Sequence, residues 1–430
     1  MYDVIIVGGG MGGLATGALL SRKGFKVMLL EQNRMLGGRA NSVEYKKGYT
    51  VDWGIHLLRF GSKGIAAQVF ETLGEKLEIL EMGEGKLFHN DQWLELPTKA
   101  DVLTRTPLLD GEDKKSVGGL LTGILGTPPQ KVLDLSIADW LSDVGGSERI
   151  KMVMQLISKL CITTHSAGEL SSGEVFSVIS GALKTGKSAG YPRGGWKTAI
   201  ERLSSIIQNE GGIVREKAKV EKIVVDERKI VVGVLVGGER LQSSVVVYSA
   251  PCQQLHSLVS KSDFGEAFLE RSTNMIPTAG ISIDLGLRGC VSNENGMVVV
   301  NDPFILAQFT SNIDSTVAPS GEQLATFLHV MSPTEMRDRK RVEGAFEVLE
   351  RYAFKMFPRL RGSIVWKRKT EMDIVNGVLP TPLQSREKRI GFIGPVKGLY
   401  FAGDCYDGEG GGSDIAFRSA RRCAEVIEKR

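Results

Sequence analysis

Residues 2 to 13 read YDVIIVGGGMGG, an apolar run that breaks into a cluster of glycines. A continuous apolar run bounded by glycine is how a strand buried on both faces of a parallel sheet looks. A helical pattern follows from about Met11 to Lys23 and stops at Gly24, and residues 25 to 30, FKVMLL, give a second buried strand. Strand, helix and strand together take about 30 residues, the size of a βαβ unit. Gly8, Gly10 and Gly13, with Met11 and Gly12 between them, match the spacing G-x-G-x-x-G. Gly8 permits a tight turn, Gly10 lets the backbone approach a pyrophosphate, and Gly13 lets the helix pack closely on the strand. The phosphates would then sit at the positive end of the helix dipole, against N–H groups with no partner inside the helix. Glu31 ends the second strand, followed by Gln32, at the spacing expected of a carboxylate that accepts from ribose hydroxyls. An acid there repels a 2′-phosphate and so disfavours NADP.

The rest of the composition sets limits. At ~150 residues per domain, a chain of 430 residues makes two or three units. Apolar residues are 42% and charged residues 24%, the balance of an ordinary globular protein. A net charge of +4 with no long basic run leaves no nucleic-acid footprint. Cys161, Cys252, Cys290, Cys405 and Cys423 are odd in number and contain no C-x-x-C pair. That pattern fits reduced thiols in a cytoplasmic protein and supports neither a disulfide framework nor a metal site. The first residues enter a strand at once, so no secretory leader is expected, and no apolar run is long enough to span a bilayer.

Along the chain, residues 90 to 190 read as a mostly helical insertion. Ser136-Ile137-Ala138-Asp139 starts a helix in the manner of a capping box, and Ile150, Val153, Met154, Ile157, Leu160 and Cys161 recur at helical spacing as one buried face. Residues 114 to 126 place two lysines ahead of an apolar run, open to two readings: a buried helix or loop of the insertion, or a segment resting on a lipid surface. A helix is expected at 196–210. Strands are expected at 219–225, 229–236 and 244–249, with turns short enough for antiparallel hairpins. Further strands at 279–287, 296–300, 304–310, 324–331 and 363–368 are expected to form a second sheet. The chain then returns to a buried strand at Leu399-Tyr400-Phe401-Ala402 and a final helix.

Two more clusters turn the dinucleotide reading toward FAD. Gly37-Gly38-Arg39 follows the second strand and brings backbone and a guanidinium fork to the phosphates. Phe401-Ala402-Gly403-Asp404, then Gly408 to Gly412, sets a carboxylate at a strand end for ribityl hydroxyls. The helix N-terminus after it stabilises negative charge on a reduced ring.

With these motifs together, the chain resembles the FAD-dependent amine oxidase and phytoene desaturase superfamily. GGGMGG at 8–13, EQNRMLGGR at 31–39, VDWG at 51–54, YPRGGW at 191–196, VEKI at 220–223, SAP at 249–251 and FAGD at 401–404 occur in family order, and the phytoene desaturase-like branch is the most similar. The resemblance implies an α/β fold: a Rossmann-like FAD-binding domain of the glutathione-reductase type at 1–85, 190–255 and 376–430, and a substrate domain of antiparallel sheet plus helices at 86–189 and 256–375. It implies that Val220 meets the adenine through its backbone, that Asp404 holds the ribityl or phosphate portion with Gly403 beside it in the cofactor site, that Gly54 and Ile55 approach the flavin, and that Gly412, Ser413 and Ala416 lie near the isoalloxazine. FAD should be non-covalent, with Cys405 a packed thiol. His56, directly after Gly54 and Ile55, has two readings, a hydrogen-bonded structural histidine and a proton donor or acceptor at the flavin.

Amine oxidases of this superfamily commonly carry a lysine on the strand that matches Thr278 to Leu287, and this chain has none there. They also set an aromatic residue where this chain has Gly411-Gly412-Ser413. Small residues at that point imply a wide slot for an extended apolar chain. The leading functional expectation is hydride transfer between flavin N5 and an isoprenoid or polyene substrate, in desaturation, saturation or isomerisation. The alternatives are amine oxidation by O₂ and, outside catalysis, a prenyl-binding escort protein of the same fold. The sequence sets no oligomeric state.

Overall fold

The computed structural model describes every residue except Met1, Lys47 and Ser188. Among these residues a five-stranded parallel sheet runs in the order Ile213–Arg215, Val27–Leu30, Val4–Val7, Val246–Tyr248, Leu399–Phe401. The unbroken apolar run of the first strand follows from this position. Val4 and Ile6 pack into one core with the first helix, Met11–Arg22, whereas Ile5 and Val7 pack into another beneath the opposite face. Two covered faces leave no place for a polar alternation. The first helix packs on the last, Ser413–Glu428, and on Trp196–Asn209. Chain start and chain end thus share one layer.

Residues 244–249 depart from the hairpin expectation. Val220–Val225 and Val231–Val236 do pair antiparallel, but Glu239–Gln242 completes that small sheet. Val246–Tyr248 leaves it and inserts beside the first strand. All three of its residues are buried, so the segment needs cover on both faces and a hairpin edge supplies cover on one.

The second sheet has seven strands in the order Ile364–Met372, Ala279–Arg288, Glu322–Met331, Ile305–Gln308, Val298–Val300, Lys86–His89, Gln92–Glu95. It is antiparallel except where Val298–Val300 meets Lys86–His89. The last two strands were not expected from the sequence, and Gln92–Glu95 falls within the stretch read as a mostly helical insertion. Helix Arg339–Met356 covers one face through Val342, Phe346 and Leu349. The insertion covers the other with Gly111–Gly126, Ile137–Val144, Glu148–Ile162 and Ser172–Thr185. Residues 114–126 lie in the first of these helices, which starts in a capping box between Asp110 and Asp113. Its Val117, Leu120 and Ile124 are buried, whereas Leu125 is 50% exposed, so one face is core and the other is surface. No helix among the described residues is long and apolar enough to cross a membrane.

The insertion is tied to the end of the chain by a fully buried ion pair. Glu174, in the first turn of Ser172–Thr185, accepts from Arg389 Nη2 at 2.7 Å through Oε1 and from the Gly410 N–H at 3.3 Å through Oε2. Arg389 also donates to the Gly408 carbonyl at 2.8 Å. The glycine-rich loop before the last helix is therefore pinned from outside. Removing one partner of such a pair leaves an uncompensated buried charge, at a cost of about 3–5 kcal/mol. Glu174→Ala is expected to lose that much in chemical denaturation, and Arg389→Met with Glu174→Leu together to lose less than the single change. Additive losses would show that the two groups do not act as a pair.

Candidate functional site: a dinucleotide cradle opening into an apolar cavity

One cavity of about 1600 Å³ runs between the two sheets. Ligand pockets are usually about 300–1,000 Å³, so this one has room for a large cofactor and a second molecule. Gly8, Gly10, Met11, Gly12, Glu31, Gln32, Gly38, Arg39, Gly54, Ile55, His56, Val220, Gly403, Asp404, Gly412, Ser413 and Ala416 all line it. Of the residues nominated from sequence, Gly13 does not.

The local geometry explains each glycine differently. Gly8 holds φ at +109°, outside the range of most side chains. A Cβ at Gly13 would lie 2.1 Å from the Gly8 carbonyl oxygen, so Gly13 serves the packing of helix on turn and stays behind the cavity wall. A Cβ at Gly12 would meet Gly403 Cα at 2.8 Å, which is how the first helix approaches the C-terminal motif. Gly10 has nothing within 4 Å on its side-chain position, which leaves its backbone open to a ligand. No side chain caps the first helix and its first turn holds no acid. Its leading N–H groups are therefore available to phosphate oxygens.

Glu31 is buried, with Oε2 accepting from the Gly9 N–H at 2.8 Å and Oε1 from the Asn33 N–H at 2.8 Å. The carboxylate thus holds the glycine turn in place and still has lone pairs for hydroxyl donors. Arg39 and Asp404 make a contact that the motifs do not announce. Arg39 Nη1 donates to Asp404 Oδ2 at 2.7 Å and Nη2 donates to Oδ1, a two-pronged pair 365 positions apart in the chain. The guanidinium expected on phosphate and the carboxylate expected on ribityl hydroxyls are thereby braced against each other. Burial is the largest influence on the Asp404 carboxyl and raises it, but the Arg39 charge, the Arg39 hydrogen bonds and backbone N–H groups together hold it below the usual carboxylate range. The Gly377 N–H gives Asp404 Oδ2 a further bond at 2.7 Å. These features fit a dinucleotide: an uncapped helix start, an open Gly10, and a charged pair at the cavity wall.

His56 lies at the cavity wall beneath Gly54. Its carbonyl accepts from Trp196 Nε1 at 3.0 Å, and its ring stands edge-on to Trp196 at 6.1 Å. Nδ1 is buried and has no partner among the described residues. Burial, then the positive charge of Arg39, pushes the imidazole down to about 4, so it is neutral at physiological pH. Nearby, Tyr191 donates to Asp52 Oδ2 at 2.6 Å, and burial pushes the Asp52 carboxyl up to about 6.

Beyond the cradle the wall turns apolar. Met154, Ile157, Leu160 and Cys161 come from helix Glu148–Ile162, and Val178, Ile179 and Leu183 from Ser172–Thr185. The helical stripe that reads as core is in part a cavity wall, since periodicity records an apolar face and not what faces it. Arg59 also lines the cavity, and no sequence motif marked it.

The family model described as flavin containing amine oxidoreductase matches residues 11–428, and the chain belongs to that family. It is a flavin-dependent oxidoreductase by class. It is 24% identical over 489 residues to the chloroplastic prolycopene isomerase of Daucus carota, covering 95% of this chain and 77% of that one. Its fold matches a solved oxidoreductase from Methanosarcina mazei with a TM-score of 0.83, at 20% identity over 98% of this chain and 99% of that one. Cyclohexylamine oxidase from Brevibacterium oxydans matches with a TM-score of 0.68, at 18% identity over 100% and 99%. The expected α/β architecture and superfamily are thus established.

The two shifted groups set opposite pH slopes on stability. Folded His56 resists protonation down to about 4, against 6.5 in the unfolded chain. Its contribution is complete above 6.5 and is lost as pH falls toward 4. Folded Asp52 keeps its proton up to about 6, against 3.8 unfolded, so its contribution is present below 3.8 and lost as pH rises through 6. Asp52→Asn removes the second slope. Its denaturation midpoint should therefore fall more steeply than that of the wild type between about pH 6.5 and 4.5. Parallel curves would show that Asp52 titrates normally.

Proposed function

We propose that the chain binds FAD non-covalently and transfers hydride between flavin N5 and an apolar substrate of isoprenoid or polyene type. The observation that carries this reading is the continuity of one cavity, from the glycine cradle at one end to the apolar wall of the insertion at the other. When bound, FAD supplies two-electron chemistry at N5, and the protein supplies position and electrostatics. Gly10 to Gly12 would receive the pyrophosphate, Glu31 the adenosine ribose, and the Val220 backbone the adenine. Arg39 and Asp404 would brace the ribityl portion. The start of the last helix, at Gly412 and Ser413, would place positive dipole where a reduced ring gathers negative charge.

His56 would face the reacting edge as a neutral imidazole. A neutral ring with an unpartnered Nδ1 accepts a hydrogen bond and orients a donor, and it does not serve as a standing cation. Cys405 is buried beside Asp404, which favours a packed thiol over a covalent flavin link. Free thiols throughout fit a cytoplasmic protein. The prolycopene isomerase relative supports a polyene substrate. Amine oxidation has less support. The strand Ala279–Arg288 carries no lysine and spends its buried acid, Asp284, on Arg368 and Thr326.

Three outcomes follow. Purified protein should be yellow and release free FAD on denaturation, and failure to take up FAD on refolding would favour the escort-protein alternative. Glu31→Ala should weaken FAD by about 10- to 100-fold in a titration, the loss of a charge-assisted hydrogen bond of roughly 1.5–3 kcal/mol. Unchanged affinity would remove Glu31 from the ribose site. His56→Phe should cut turnover by a factor on the order of 10² or more with the flavin spectrum and occupancy nearly unchanged. Full turnover in that variant would leave His56 structural.

A further inference from the structure

Arg59 is a charged group in the cavity that the reading above does not use. It ends the short strand Leu58–Arg59, and its side chain lines the cavity. Nε lies 3.1 Å from Asp414 Oδ2, in the first turn of the last helix, but out of alignment for a hydrogen bond, so Nε is without a hydrogen-bond partner among the described residues. The surroundings are apolar: a Cβ at Gly411 would sit 3.7 Å from Arg59 Nη2 and 3.8 Å from Ile162 Cδ1. Asp414 is shared, because Arg418 also acts on it and Arg418 Nε is buried without a partner. A cation with unspent N–H groups at an apolar wall is costly, and a ligand anion relieves that cost.

We propose that Arg59 anchors a carboxylate carried by the apolar substrate. The guanidinium fork matches a carboxylate geometrically, and its N–H groups are free to donate to one. The anchored end would lie beside Gly411, and the chain would extend along Met154, Ile157 and Val178. The substrate class becomes an amphiphilic acid with a long apolar body, as distinct from a plain hydrocarbon. This inference rests on the flavin-oxidoreductase reading above and narrows its substrate.

The test uses the FAD-loaded protein and two probes with one carbon skeleton, geranylgeranoic acid and geranylgeraniol, followed through the visible absorbance of the flavin. The acid should bind about 10- to 100-fold more tightly than the alcohol, the difference a charge-assisted hydrogen bond makes. Arg59→Gln should erase that preference while retaining FAD, and Arg59→Lys should keep part of it. Equal binding of the two probes, binding of neither, or a preference that survives Arg59→Gln overturns the proposal. So does a changed flavin reduction potential in Arg59→Gln with the acid preference intact, which would assign the charge to the cofactor. Colourless protein signals failure of the flavin reading, whereas failure of the anion site shows in yellow protein.

Discussion

The close backbone contact among Gly8, Gly12, Gly13 and Gly403 is the constraint on which the rest of the molecule depends. A single added carbon at Gly13 would collide with the Gly8 carbonyl, and one at Gly12 would collide with the C-terminal motif. Because neither position carries a side chain, the first helix rests directly on the turn that precedes it and against the strand end some 390 residues further on. The helix start is left uncapped and turned to the cavity. Glu31 then fixes the turn through the Gly9 N–H, and the second glycine turn docks on the first through the Gly37 N–H to the Gly9 carbonyl at 2.8 Å.

Around this contact the chain closes on itself twice. Arg39 and Asp404 join the two ends of the dinucleotide cradle. Glu174 and Arg389 join the helical insertion to the glycine-rich loop between Asp404 and the last helix. The second pair is fully buried and the first is partly exposed at Arg39, and both satisfy backbone groups as well as each other, the condition under which burial of charge is tolerated. The loop at 408–412 is held by Glu174 of the insertion and by Arg389.

Much of this was legible in the sequence, for a physical reason. Parallel strands covered on both faces leave unbroken apolar runs, and tight turns demand glycine, so residues 2–39 and 399–413 announce their structure locally. What stayed hidden depends on distance or on context. Val246–Tyr248 is an apolar triplet that serves a hairpin and a parallel sheet equally well until its neighbours are known. Lys86–His89 and Gln92–Glu95 are short strands at a sheet edge with weak alternation. The Arg39–Asp404 pair joins two motifs that are individually readable but say nothing of each other. Arg59 belongs to no motif, and only the cavity around it distinguishes it from a surface arginine. The stripe on Glu148–Ile162 shows the same limit, since core and cavity wall call for the same apolar spacing.

The central claim is that the two ends of the chain build a single flavin site through the Arg39–Asp404 brace. Calorimetric titration of FAD into flavin-depleted wild type, Asp404→Ala and the double variant Arg39→Met with Asp404→Leu tests it most directly. Wild type should bind one FAD per chain, and Asp404→Ala should bind at least about 10-fold more weakly. The double variant should fold and still bind more weakly than wild type, because the contacts to the cofactor are lost with the brace. FAD affinity equal to wild type in both variants would contradict the claim and leave the C-terminal motif outside the site.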